Sequence, residues 1–258
     1  MSDWERRLQT VLETLDQRER SEVINEVANL AFEVSEAQGD AYLDTHAPWA
    51  AYRSATARLY YEHIVSMETE EVARLLAVDD PSKRRYMDMA SEKGQVSYLR
   101  VADMFDHVDF TNCQQFVLVG CGQLPVTAIH VMDRTDVPEI VVLDVSRQAI
   151  EAVERLKHKF GWNALHPQLC NGRDFDFSRA SVVYVGNMVT PKLDTMKQIL
   201  DTTADGVQIV VREPYSLGRL WTEKVYSLLA RQMEVLGRGA VSRHLSRDLF
   251  VRKRNGAG

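Results

Sequence analysis

Over the first hundred or so residues, apolar positions recur at helical spacing. After Val23 they fall at Ile24, Val27, Leu30, Ala31 and Val34, a single helix face separated by Glu, Asn and Phe-Glu. Ala47-Pro48 interrupts the pattern, and a second helical stretch is predicted from about Ala50 to Met67. Asp79-Asp80-Pro81 reads as a turn opening another helix, with Pro81 at its first position and Phe105 near its end. No internal repeat and no Gly/Ser-rich linker follows. The helical part is therefore expected to pack on the rest of the chain.

Near residue 110 the period changes. Phe116–Val119, Ile140–Leu143, Val182–Val185 and Val207–Val211 are short continuous apolar runs rich in β-branched residues. Such runs suit central strands buried on both faces. Amphipathic segments such as Ser146 to Phe160 separate them, so the alternation predicts a parallel sheet with helices on both faces. Met233–Val235 and Leu249–Val251 read as two further strands after the last helix. A closing hairpin of that kind is typical of methyltransferase-like sheets and not of the dehydrogenase version. The predicted class is α/β: a Rossmann-like sheet of the class I SAM-methyltransferase type, preceded by an all-helical domain. The predicted division is 1–110 helical lid and 111–258 SAM-binding domain.

Composition narrows the functions. The chain of 258 residues is 45% hydrophobic and 26% charged, ordinary for a globular protein. Its net charge of -6 gives no global attraction to nucleic acid or anionic membrane. No stretch approaches a membrane span, and the N-terminus lacks a signal-peptide pattern. The 3 cysteines, Cys113, Cys121 and Cys170, form no C-x-x-C pair and point to a reducing compartment. A cytoplasmic location is expected. The 7 histidines lack ligand spacing, so no metal in the enzyme is expected.

Candidate chemistry sits after the strands. Gly120-Cys121-Gly122 follows the first apolar run and opens a helix, where glycine permits a sharp turn and close approach of a ligand. Pro125 stands where the dinucleotide fingerprint would place its third glycine, which disfavours NAD and suits the looser G-x-G of S-adenosylmethionine (SAM) binders. Asp144 ends the next strand, where an acid accepts hydrogen bonds from ribose hydroxyls. Ser146 already supplies the helix N-cap there. Asn171-Gly-Arg-Asp-Phe-Asp176 falls where SAM sheets carry an acid that reads the adenine amino group, with Asp174 expected and Asp176 the fallback. Gly186 and Asn187, at the carboxyl end of another strand, are expected to face the amino acid moiety of SAM. Arg212 ends a later strand and could hold a carboxylate, or pair with Glu213 or another acid.

The segment Phe116-Val-Leu-Val-Gly-Cys-Gly-Gln-Leu-Pro-Val-Thr-Ala-Ile129 resembles the glycine motif of nicotianamine synthases, G-S-G-P-L-P-x-T-[SA]-I. Leu124, Pro125 and Thr127 are its most diagnostic residues. Ser35-Glu-Ala-Gln-Gly39 is similar to the family's S-E-A-E-G, and Tyr60-Tyr-Glu-His63 to its Y-Y-D-N. Cys121, Gln123 and Gln38 depart from the pattern, where Ser, Pro and Glu are usual. The length resembles the bacterial branch that makes opine metallophores of the staphylopine and pseudopaline kind.

That resemblance implies transfer of the aminobutyrate (3-amino-3-carboxypropyl) group of SAM to the α-amine of histidine, releasing methylthioadenosine. It implies SAM as co-substrate, Gly120, Gly122, Leu124 and Pro125 as part of its site, and an opine dehydrogenase as pathway partner. Glu36 is the expected general base with Tyr61 as its partner, and Tyr60, which could exchange roles with Tyr61, is expected with Arg212 at the acceptor. An ordinary methyltransferase and a non-catalytic SAM-binding regulatory protein are the alternatives. The acceptor's stereochemistry is not legible, and a homodimer remains open.

Overall fold

The structure, a computed structural model, describes residues 1–45, 49–79 and 85–254, with Trp49 and Ala50 described by backbone alone. His46, the Ala47-Pro48 break, the Asp80-Pro81 turn and the Trp49 side chain lie outside the described residues. Helices come first: α1 (Asp3–Glu13), α2 (Arg20–Glu33), α3 (Glu36–Thr45), α4 (Trp49–Leu76), α5 (Tyr86–Met89), α6 (Glu92–Leu99) and α7 (Met104–His107). The apolar face predicted for α2 is buried, with Val27, Leu30 and Ala31 almost wholly enclosed.

Two helical expectations change. Helix α4 does not stop near Met67 but runs to Leu76, because the added turns are good helix formers and place Val72 and Leu75 in a buried cluster with Ala152 and Leu156. The single helix expected from Pro81 to Phe105 is instead the three short helices α5, α6 and α7 over its described part. Ser91 causes one break. Its side chain caps α6 by accepting from Gly94 N at 3.1 Å, while its own amide donates to Glu71 of α4 at 2.9 Å. Gly94 packs so near that a Cβ there would meet Glu71 Oε1 at 2.6 Å.

The sheet comprises β1 (Gln115–Val119), β2 (Glu139–Asp144), β3 (Leu165–Leu169), β4 (Val182–Val185), β5 (Gln208–Pro214), β6 (Met233–Arg238) and β7 (Ser246–Lys253). Helices α8 (Val126–Arg134), α9 (Arg147–Phe160) and α10 (Lys192–Thr202) cross between strands, and the short α11 (Tyr226–Leu229) precedes β6. Strand order is β3-β2-β1-β4-β5-β7-β6. The first five strands are parallel, and β7 enters antiparallel between β5 and β6. This is the predicted Rossmann-like sheet with its closing hairpin. Strand β3 has no apolar run because it lies at the sheet edge and carries Pro167, which an edge tolerates.

The sequence order reverses between β1 and β4, so the loops at their carboxyl ends part and leave a crevice. The helices lie over this edge. Leu8, Leu30 and Tyr60 share one buried cluster with Leu217, Leu220, Trp221 and Leu245. Thr56 Oγ1 of α4 donates to the Leu220 carbonyl at 2.6 Å within it. No described helix is long and apolar enough to cross a membrane.

Candidate active site

A cavity of about 1020 Å³ opens between α4, α6 and the carboxyl ends of β1, β2 and β4. One wall is the glycine turn. Gly120 and Gly122 have φ of 75° and 64°, the left-handed region where a side chain would strain the backbone. A Cβ on Gly186, at the end of β4, would lie 2.9 Å from the Gly120 carbonyl, so the two loops pass in direct contact.

Asp144 closes β2 beside this turn. Its Oδ2 accepts from Gly122 N at 2.9 Å and its Oδ1 from Ser146 N at 2.8 Å. Ser146 in turn caps α9 by accepting from Ala149 N at 3.3 Å, the capping role expected of it. The Asp144 carboxylate is thus fixed at the cavity wall with acceptor capacity left for ligand hydroxyls.

Helix α4 supplies the facing wall. Tyr60 is buried and stacks on Trp221, centroids 5.0 Å apart and planes 7° off parallel. Tyr61 is half exposed at the cavity. Glu68 lies two turns further along and accepts from Gln123 N at 2.9 Å, while Gln123 Nε2 donates to Thr69 Oγ1 at 2.8 Å. Burial, reinforced by the Asp144 charge against these backbone amides, pushes the Glu68 carboxyl up to about 7.

A further wall is made by Arg100, Tyr184, Arg212, Trp221 and His244. Arg212 is bidentate to Asp248, its register partner on β7, at 2.8 and 2.9 Å. Asp248 also accepts from the Tyr184 hydroxyl at 2.9 Å. Burial carries the His244 ring down to about 3, with the Arg100 and Arg212 charges adding to the effect, so it is neutral.

Of the residues expected from sequence, Gly120, Gly122, Leu124, Asp144, Gly186, Asn187, Tyr60, Tyr61 and Arg212 line this one cavity. Glu36, Pro125 and Asp174 do not. Glu36 opens α3, where it is bound by Arg247 at 3.0 Å and Lys224 at 3.1 Å. Pro125 is the N-cap of α8, behind the turn. Asp174 is exposed and sits 3.7 Å from Arg173, and Asp176 caps its own turn by accepting from Ser178. Asn171 and Gly172 line the cavity at that loop. Arg212 reaches the wall, but its fork is engaged by Asp248 and not by Glu213.

Glu68, Arg100 and His244 were not singled out by sequence. Glu68 had a signal: Tyr60, Ile64 and Glu68 fall at i, i+4 and i+8 of one helix face. Among the described residues no cluster of three or more His, Cys, Asp or Glu could hold a metal.

No protein-family profile matches the chain, and no curated protein matches it. Among solved structures, the chain is similar to MtNAS, a nicotianamine synthase, in complex with MTA and tNA. A glutamate-to-glutamine variant of MtNAS in complex with S-adenosylmethionine is similar to the same degree. Each aligns with a TM-score of 0.81 at 14% identity over 98% of this chain and 99% of that chain. Fibrillarin in its complex with Nop5p aligns with a TM-score of 0.52 at 13% identity, covering 68% of this chain and 95% of that chain. The likeness is one of fold, and with MtNAS it extends from end to end and includes the helices over the cavity.

Proposed function

We propose that the chain transfers the aminobutyrate group of SAM to the α-amine of histidine and releases methylthioadenosine. The observation that carries this reading is the end-to-end likeness to MtNAS, because the helices before β1 are part of it and supply one wall of the cavity. The likeness to fibrillarin covers only 68% of the chain. The Leu124-Pro125-x-Thr127 resemblance supports the same reading. The segment 1–110 acts as the lid and 111–258 as the SAM-binding part.

In this reading SAM lies across the carboxyl ends of β1, β2 and β4. Asp144 accepts from the ribose hydroxyls, and the Gly120–Gly122 turn and Gly186-Asn187 border the sulfonium and the amino acid tail. The acceptor enters beneath α4. Its α-ammonium must lose a proton before it attacks, and Glu68 takes it. A carboxyl near 7 is matched to that task, since it is partly ionised at neutral pH yet basic enough to accept a proton. Tyr61, beside it on the cavity, orients the amine. The nitrogen then attacks the γ-carbon in line with the C–S bond, whose electron pair passes to sulfur. Glu36, held by Lys224 and Arg247, positions α3 instead of acting as the base. The enzyme works in the cytoplasm, ahead of an opine dehydrogenase, in metallophore biosynthesis.

Mass spectrometry of reactions with SAM and either histidine enantiomer tests the acceptor. The expected product is histidine carrying one aminobutyrate unit. No adduct with either enantiomer, while SAM is consumed with another amino acid, would reject histidine.

A further inference from the structure

The cavity wall at Arg212 and Tyr184 holds a cation with no hydrogen-bonded counter-ion among the described residues. Arg212 is neutralised by Asp248, and that pair is completed by the Tyr184 hydroxyl. Arg100, at the end of α6, has no such partner. Its side chain makes no hydrogen bond or ion pair among the described residues, and its Nε is buried with nothing to receive its proton. Of the charges around it, Arg212 has the same sign, Asp248 is engaged by Arg212 and Tyr184, and Glu68 acts on it through space without a hydrogen bond or ion pair. Burial and the nearby Arg212 charge both act against the Arg100 cation.

A second buried donor shares the wall. Trp221 is 5% exposed, lines the cavity, and its Nε1 has no acceptor. Its ring is held by the stack on Tyr60, so the N–H direction is fixed. An unpaired buried charge is strongly unfavourable, and a buried donor left unbonded is so to a lesser degree. Both donors line the same cavity, open to an acceptor-only anion that enters it. A planar carboxylate suits this, because guanidinium and carboxylate are matched in shape.

We infer that Arg100, with the Trp221 indole N–H, is the receptor for the α-carboxylate of an amino-acid ligand, and that Arg212 is its scaffold. The assignment rests on reading the cavity as a site for SAM and an amino acid. Both ligands carry an α-carboxylate, so the donor's tail and the acceptor are the two sources.

Titration calorimetry separates them. The probes are SAM, decarboxylated SAM, histidine and histamine, on the unmodified chain and on Arg100→Met. The variant is expected to lose roughly 30-fold or more in affinity for one carboxylate-bearing ligand. Its affinity for the matching decarboxylated analogue stays unchanged. Loss for SAM places the donor's tail on Arg100; loss for histidine places the acceptor there. Should the unmodified chain bind SAM but not histidine, the SAM pair decides alone. Arg100→Lys, which keeps the charge without the fork, is expected to fall between the two. Thermal unfolding is the control: removing a buried cation that no described group hydrogen-bonds should leave the melting temperature unchanged or higher. Unimpaired binding of both carboxylates by Arg100→Met overturns the assignment. So does a lowered melting temperature with equal loss for all four ligands. An unmodified chain that binds no SAM overturns the reading of the cavity, and this assignment with it.

Discussion

Asp144 and Glu68 accept hydrogen bonds from consecutive backbone amides, those of Gly122 and Gln123, each at 2.9 Å. One carboxylate comes from the sheet and the other from α4. The glycine turn is therefore clamped between the two parts of the chain, and the helical part is latched at the cavity wall. The same closeness sets Glu68 apart, because the Asp144 charge adds to burial in holding its proton.

The linkage to stability follows from that raised carboxyl. Between its ordinary value of 4.5 and about 7, the folded chain keeps a proton that the unfolded chain has lost. Glu68 thus makes stability fall as pH rises through that window and has no further effect above it. Glu68→Gln removes the penalty. Denaturant unfolding at pH 8 should show the variant more stable than the parent, by on the order of 1–3 kcal/mol. The two should converge near pH 4. The same variant should lose about 10²–10⁴-fold in turnover, as loss of a general base does.

Asp144→Ala should weaken SAM binding by about 10- to 100-fold, the equivalent of roughly 1.5–3 kcal/mol for lost charge-assisted hydrogen bonds. Calorimetry on the variant measures it. Asp144→Asn keeps the shape beside Gly122 and Ser146 and should retain part of the affinity.

Glu36→Gln separates the two candidate bases. Glu36 is tied to Lys224 and Arg247 outside the cavity, so turnover should stay within a few fold of the parent. Stability should fall by about 1 kcal/mol, since these ion pairs are only partly buried. Steady-state kinetics with SAM saturating reads the outcome, and a hundredfold loss would return the base to Glu36.

Asp248→Ala should be far more damaging. It leaves the Arg212 guanidinium and the Tyr184 hydroxyl buried without their acceptor. Truncating one partner of a buried pair costs about 3–5 kcal/mol. Urea denaturation would show the midpoint shift.

The sheet was legible in the sequence because β1, β2, β4 and β5 are central strands buried on both faces and leave continuous apolar runs. Strand β3 was silent because an edge strand needs no such run, and Leu-His-Pro-Gln-Leu carries none. The glycine-turn wall of the cavity was legible because Gly120, Gly122 and Asp144 are set by local backbone geometry. The wall at Arg100 and His244 was not. Arg100 and His244 reach it from segments distant in sequence, and no local spacing announces that. Glu36 was favoured by a motif resemblance, whereas its contacts come from Lys224 and Arg247, which lie far along the chain.

The by-product of the reaction tests the central claim most directly. The sulfonium of SAM activates three carbons, and the proposed transfer requires the acceptor amine to meet the γ-carbon. Incubation with SAM and histidine, followed by liquid chromatography of the nucleosides, distinguishes the outcomes. The account predicts methylthioadenosine, formed in step with histidine bearing an aminobutyrate unit. S-adenosylhomocysteine without methylthioadenosine, on any acceptor, would contradict it.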